Sequence, residues 1–128
     1  MSDAIMRASL ALACLLTLAC LWTTACGPSR SPHDPAVKAE ALAIWKDRCA
    51  NCHGLRGHGD GPQARHLLVS PRRLSDPIWR AGVTDEHLRT VILEGGAAVG
   101  LNPVMAPNPD LRAKPEVLDA LVEHVRGL

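Results

Sequence analysis

The chain has 128 residues with a formal net charge of +1 at pH 7, and no basic run or basic–aromatic stripe, so nothing points to nucleic acid as a partner. It holds no Phe or Tyr and only three Trp, although 47% of it is apolar, which excludes a core filled with large rings of its own. No internal repeat, Ser/His/Asp set, paired carboxylates or metal-hydrolase spacing is present, which leaves common hydrolytic chemistry without residues.

In chain order, Arg7 precedes an apolar run from Ala8 to Trp22 that is short for a membrane span and ends in Thr23-Thr24-Ala25-Cys26. Residues 1–25 are therefore expected to be a signal peptide, and the chain an exported one on the periplasmic side of a membrane. Small residues before Cys26 resemble a bacterial lipobox, with Thr23 where Leu is usual, so Cys26 is the expected lipidation site and membrane anchor. Ordinary cleavage after Ala25 and an uncleaved anchor are the alternatives. Residues 26–34, polar and Pro-rich, read as the lipidated Cys and a flexible tether, spanning about 25–30 Å at full extension.

Residues 35–128 read as one helical domain without a convincing strand. Asp34 is placed to cap a helix that starts at Pro35, with Val37, Ala41, Ile44 and Trp45 at helical spacing. Thr84 is placed to cap a second, with Val83 and Leu88 as a hydrophobic staple and Gly95-Gly96 as its end. A third begins near Pro115 and carries Val117, Leu118, Leu121, Val122 and Val125 towards the C-terminus.

The first helix runs into Cys49-Ala50-Asn51-Cys52-His53. Cys-x-x-Cys-His is the attachment pattern of a c-type haem: two thiols add across two vinyl groups, and the next imidazole lies under the iron. Cys-x-x-Cys alone also serves zinc sites and thioredoxin-like redox centres. On the haem reading Cys49 and Cys52 bind the porphyrin, His53 is the proximal ligand, and an exported chain is left with one odd thiol, Cys26, which lipidation explains. A second axial ligand is found in Met105, the single Met outside the leader, set among Pro103, Pro107 and Pro109, which stiffen its loop. The competing role for Met105 is core filler.

Gly54, Gly57, Gly59 and Gly61 follow the motif. No strand precedes them and no Lys-Ser/Thr follows, so they read as a turn beneath the haem, close to His53, rather than a phosphate cradle. Arg72, Arg73 and the Trp79 indole are candidate partners of the haem carboxylates, or else a solvated Arg pair and a core Trp. His58 lies on the proximal side, and His66, His87 and His124 fit exposed or helix-surface positions, with His87 the first substitute ligand.

Together these features resemble the small mono-haem class I cytochromes c. The resemblance rests on Ala41 eight residues and Trp45 four residues before the first Cys of the motif, on His53-Gly54 and the glycine run, and on Pro71-Arg72-Arg73-Leu74. It rests also on the helix ending in Gly95-Gly96 and on the Met105 loop. It implies an all-α cytochrome c fold, three main helices with loops wrapped around one covalent haem, and a crossing of the first and last helices. It also implies that the Pro71 carbonyl accepts the hydrogen bond from Nδ1 of His53. One departure stands out: such last helices bring an aromatic to the crossing, whereas the residues expected there are aliphatic.

The implied function is outer-sphere electron transfer between redox partner proteins, through one haem with His and Met axial ligands. A haem sensor or peroxidase-like enzyme with a labile sixth ligand, a subunit of a larger oxidoreductase, and a zinc site are the other readings.

Overall fold

The computed structural model describes residues 30–128. The expected signal peptide, Cys26 and the first part of the expected tether lie outside the described residues.

Helix α1, Pro35–Ile44, begins as its sequence requires. Pro at the first position lacks only an N–H that would have been unpaired, and the Asp34 carboxylate accepts from the Ala36 N–H at 2.8 Å. The helix does not stop at Ile44. One wide turn, Trp45–Cys49, continues it, with the Ala50 N–H reaching back five residues to the Trp45 carbonyl, and the short α2, Ala50–His53, completes the run. Such a turn adds a residue to the helical repeat, so Cys49 to His53 are rotated relative to the face formed by Ala41 and Trp45.

After a long glycine-containing loop, α3, Pro77–Gly82, repeats the device of α1: Asp76 accepts from the N–H groups of Ile78 and Trp79, and Pro77 opens the helix. Three main helices are accompanied by this short one, which was not expected. Helix α4, Asp85–Glu94, is capped by Thr84, whose hydroxyl accepts from the His87 N–H at 3.1 Å. Leu88 is buried and Val83 packs against the same core, as a staple requires. Gly95, at φ +80°, ends it.

Helix α5, Pro115–Arg126, buries Val117, Leu118, Ala120, Leu121, Val122 and Val125. It packs across α1, which offers Val37, Ala41 and Trp45, and forms with it the largest helix–helix contact among the described residues. A 3₁₀ turn, Pro109–Ala113, drops Leu111 into the centre, where it is fully buried. No strand occurs among the described residues, and none of their helices is long and apolar enough to cross a membrane.

The crossing corrects two expectations. It is not purely aliphatic, and His124 is half-buried, with its Nε2 shut off from solvent, rather than fully exposed. Positions 117, 121 and 124 share a helix face, so the His124 ring meets Trp45 edge to face, with centroids 4.8 Å apart and planes at 62°. Contacts also occur at the N-terminal end of the described residues. Ser31 accepts from the Asp34 N–H, and the His33 ring lies 3.5 Å from the Glu123 carboxylate.

Candidate functional site

Cys49, Cys52 and His53 stand three and four residues apart on a helical run, which puts them on one side of it. Both thiols are free rather than joined as a disulfide. Helix α2 ends abruptly, and its last carbonyls would be unpaired if the chain left it there. Instead the glycine loop folds back beneath them. The N–H groups of Gly54, Gln63, Gly61 and Gly59 donate to the carbonyls of Ala50, Asn51, Cys52 and His53 in turn, at 2.8–3.1 Å. The approach is close enough to exclude side chains: a Cβ on Gly61 would sit 2.4 Å from the Ala50 oxygen and 2.5 Å from that of Asn51. The glycines therefore let the loop pair with the backbone that carries the thiols and the imidazole.

The His53 ring is oriented from the other side. Its Nδ1 lies 3.0 Å from the carbonyl oxygen of Arg72. A carbonyl only accepts, so Nδ1 carries the proton and Nε2 keeps its lone pair for a metal. The expected acceptor, Pro71, is displaced by one residue: its carbonyl faces Gly59, where a Cβ would come within 2.7 Å of it. Neighbouring carbonyls in a segment without helical repeat point to different sides, so a shift of one residue changes which of them meets the ring. Burial holds the His53 pKa below its ordinary 6.5, and the Arg72 carbonyl acts in the opposite sense. The ring is thus kept neutral, the form that binds a metal.

The thiols separate the competing chemistries. Burial pushes Cys49 up to about 11, helped by the neighbouring Cys52 and opposed by Arg48. A thioredoxin-like centre requires the reverse, a thiol held as thiolate. Among the described residues no three of His, Cys, Asp or Glu gather as a metal cage, so the Cys-x-x-Cys pair and His53 are not joined by the further ligands of a closed zinc site. Of the other histidines, His58 lies 3.9 Å from Asp60, His66 accepts from Arg65, and His87 is exposed at the start of α4.

The Arg72 guanidinium stands 6.0 Å from the centre of the half-buried Trp79 ring, so these two form one group with His53. Arg73 turns aside to the Ser75 hydroxyl at 3.4 Å. Both arginines are exposed, and neither has a carboxylate partner among the described residues.

Met105 belongs to a second cluster. Its backbone is fixed at both ends: the N–H donates to the Asn102 carbonyl at 3.1 Å, and the carbonyl accepts from Gly96 at 2.9 Å. Asn102 also accepts from the Val104 N–H through its side chain, at 2.9 Å. Gly96 is pressed so close that a Cβ would lie 2.2 Å from the Asn102 oxygen. Asn108 closes the loop by donating from its backbone and side chain to the last carbonyls of α4. Its partner residues were not singled out from sequence, although Asn-Pro at 102–103 and again at 108–109 is a recognisable turn signal.

Several large apolar side chains stand exposed on the segments that carry the two clusters: Leu68, Val69 and Ile78 on one, Leu101 and Val104 on the other. Two free thiols, a neutral imidazole with an open Nε2, a thioether and a set of unburied apolar residues fit a porphyrin with central iron.

No solved structure matches the chain. Residues 38–128 match the family model described as Cytochrome c, a match that starts in α1 and runs to the last residue. The chain belongs to the cytochrome c family, whose members hold haem covalently and transfer electrons through it.

Proposed function

We propose that this chain is an exported one-electron carrier that holds a single haem through thioethers at Cys49 and Cys52, with His53 and Met105 as axial ligands. The observation that carries the reading is the His53–Arg72 hydrogen bond. It fixes the tautomer in which Nε2 is free, on the same helical run as two unpaired thiols.

When bound, the haem supplies a one-electron ferric/ferrous couple. The chain's residues set how it behaves. The Arg72 carbonyl orients the imidazole and increases its basicity. Met105 offers a soft donor that favours the ferrous state and raises the potential. Filling both axial positions keeps substrates off the metal, so electrons pass through the exposed edge. Arg72, Arg73 and the Trp79 indole are the donors for the propionates, two cations and one N–H beside the imidazole loop.

Lipidation at Cys26 would tie the carrier to the periplasmic face of a membrane and confine its search for redox partner proteins to that surface. Contacts with those proteins would be small and transient. The test exposes the reduced, haem-loaded protein to carbon monoxide and titrates it electrochemically. A carrier takes up one electron per chain and keeps its spectrum under carbon monoxide. Ready formation of a carbon monoxide adduct would establish a sensor or peroxidase-like enzyme instead.

A further inference from the structure

His124 is a polar ring in an apolar crossing. Its Nε2 is shut off from solvent and has no hydrogen-bond partner among the described residues. The ring packs edge to face on Trp45, and the Trp45 indole N–H in turn donates to the Leu55 carbonyl at 3.3 Å. Trp45 precedes the Cys49–His53 motif and Leu55 follows it. One chain of contacts, from His124 through Trp45 to Leu55, therefore brackets the thiols and the imidazole and ties both ends of that segment to the last helix.

We infer that His124 is a positioning residue that locks the Cys49–His53 segment to α5, and that the lock is sensitive to acid because protonation would force a second N–H into a crossing that offers it no acceptor. A neutral ring with its proton on Nδ1 leaves only a lone pair unmatched at Nε2, a small loss. A cation leaves an unpaired charged donor, a large one.

The neighbouring charges do not relieve it. On α5, Glu123 faces His33, and Arg126 is held by Asp85 and by the carbonyls of Arg80 and Val83. The C-terminal residue Leu128 accepts from Arg80. On the facing run, Glu40 pairs with Lys114, while Lys38, Lys46 and Asp47, and Arg56 in the loop beyond, are exposed. Burial alone acts on the ring, and it moves the pKa below the ordinary 6.5. The sign follows from linkage. The unfolded chain takes up a proton as pH drops through 6.5 and the folded chain resists, so the contribution of His124 is whole above 6.5 and is lost below it.

The functional side of this inference rests on the haem reading, but its test does not. Thermal unfolding of the full haem-loaded chain is followed by far-ultraviolet circular dichroism from pH 8 to pH 4.5, for wild type, His124→Phe and His124→Ala. Other groups titrate equally in all three, so differences isolate residue 124. The inference expects wild type to lose about 4 °C or more relative to His124→Phe between pH 7 and pH 5. The Ala variant should be less stable throughout, without that extra loss. A second measurement, the titration of the His124 ring by nuclear magnetic resonance in wild type, should give a midpoint below 6.5. Parallel pH curves for wild type and His124→Phe, or a midpoint at or above 6.5 from a cation resting on the Trp45 ring, would overturn it. Absence of covalent haem in wild type would defeat the haem reading while leaving these curves interpretable.

Discussion

The two halves of the site are built by different means. The Cys49–His53 side is the end of a helix, held by four N–H groups of a returning loop and by the Arg72 carbonyl. The Met105 side is a loop, held by prolines, by Asn102 and Asn108, and by the glycines that end α4. In the first, regular backbone sets the geometry and glycine lets another strand of chain come close. In the second there is no repeat to rely on, and separate backbone bonds are supplemented by the side chains of Asn102 and Asn108. An attachment point that must present three groups together calls for the rigid construction. A single ligand reaching from the other side can be carried by a braced loop.

The largest expected effect lies on the rigid side. Cys52→Ser should lose one of two thioethers and lower the yield of loaded protein, with one vinyl group left unreacted, measured as a shift of the pyridine haemochrome band to longer wavelength. A band at the wild-type position would mean the two thiols are not an attachment pair. Next comes Gly61→Ala, where the added Cβ meets two backbone oxygens that have no room to yield. A loss of about 3 kcal/mol is expected in denaturant unfolding. The smallest is on the loop side: Asn102→Ala removes the bond to the Val104 N–H and should cost about 1 kcal/mol. It should leave covalent haem unchanged but increase displacement of the sixth ligand by added imidazole. A greater loss of stability from Asn102→Ala than from Gly61→Ala would reverse the contrast between rigid and braced halves.

Much of this was legible in the sequence, for local reasons. Asp34-Pro35 and Thr84 announce helix starts because capping needs only neighbouring atoms, and both caps form. The same Asp-Pro signal at Asp76-Pro77 went unread because a six-residue helix has too few positions to show periodicity. The haem motif and the glycine run were visible, and so was a turn close to His53, but not the bonds that the loop makes to α2, since these depend on the helix end against which it returns. The acceptor for His53 was misplaced by one residue, Pro71 for Arg72, because sequence does not show which way a carbonyl turns. His124 was missed for a related reason. An imidazole usually seeks water, and only the rotation of α5 against α1 brings this one onto Trp45. The wide turn at Trp45–Cys49 has no clear compositional mark, yet it sets the angle at which the motif leaves the crossing.

The central claim is that the two halves meet on one iron. The most direct measurement is the visible spectrum of the oxidised, haem-loaded protein, in wild type and in Met105→Ala, in the region of the weak long-wavelength charge-transfer band of sulfur-ligated ferric haem. The band is expected in wild type and should disappear in Met105→Ala while covalent haem is retained. A wild-type spectrum without the band, unchanged by Met105→Ala, would contradict the account and leave Met105 as a packing residue.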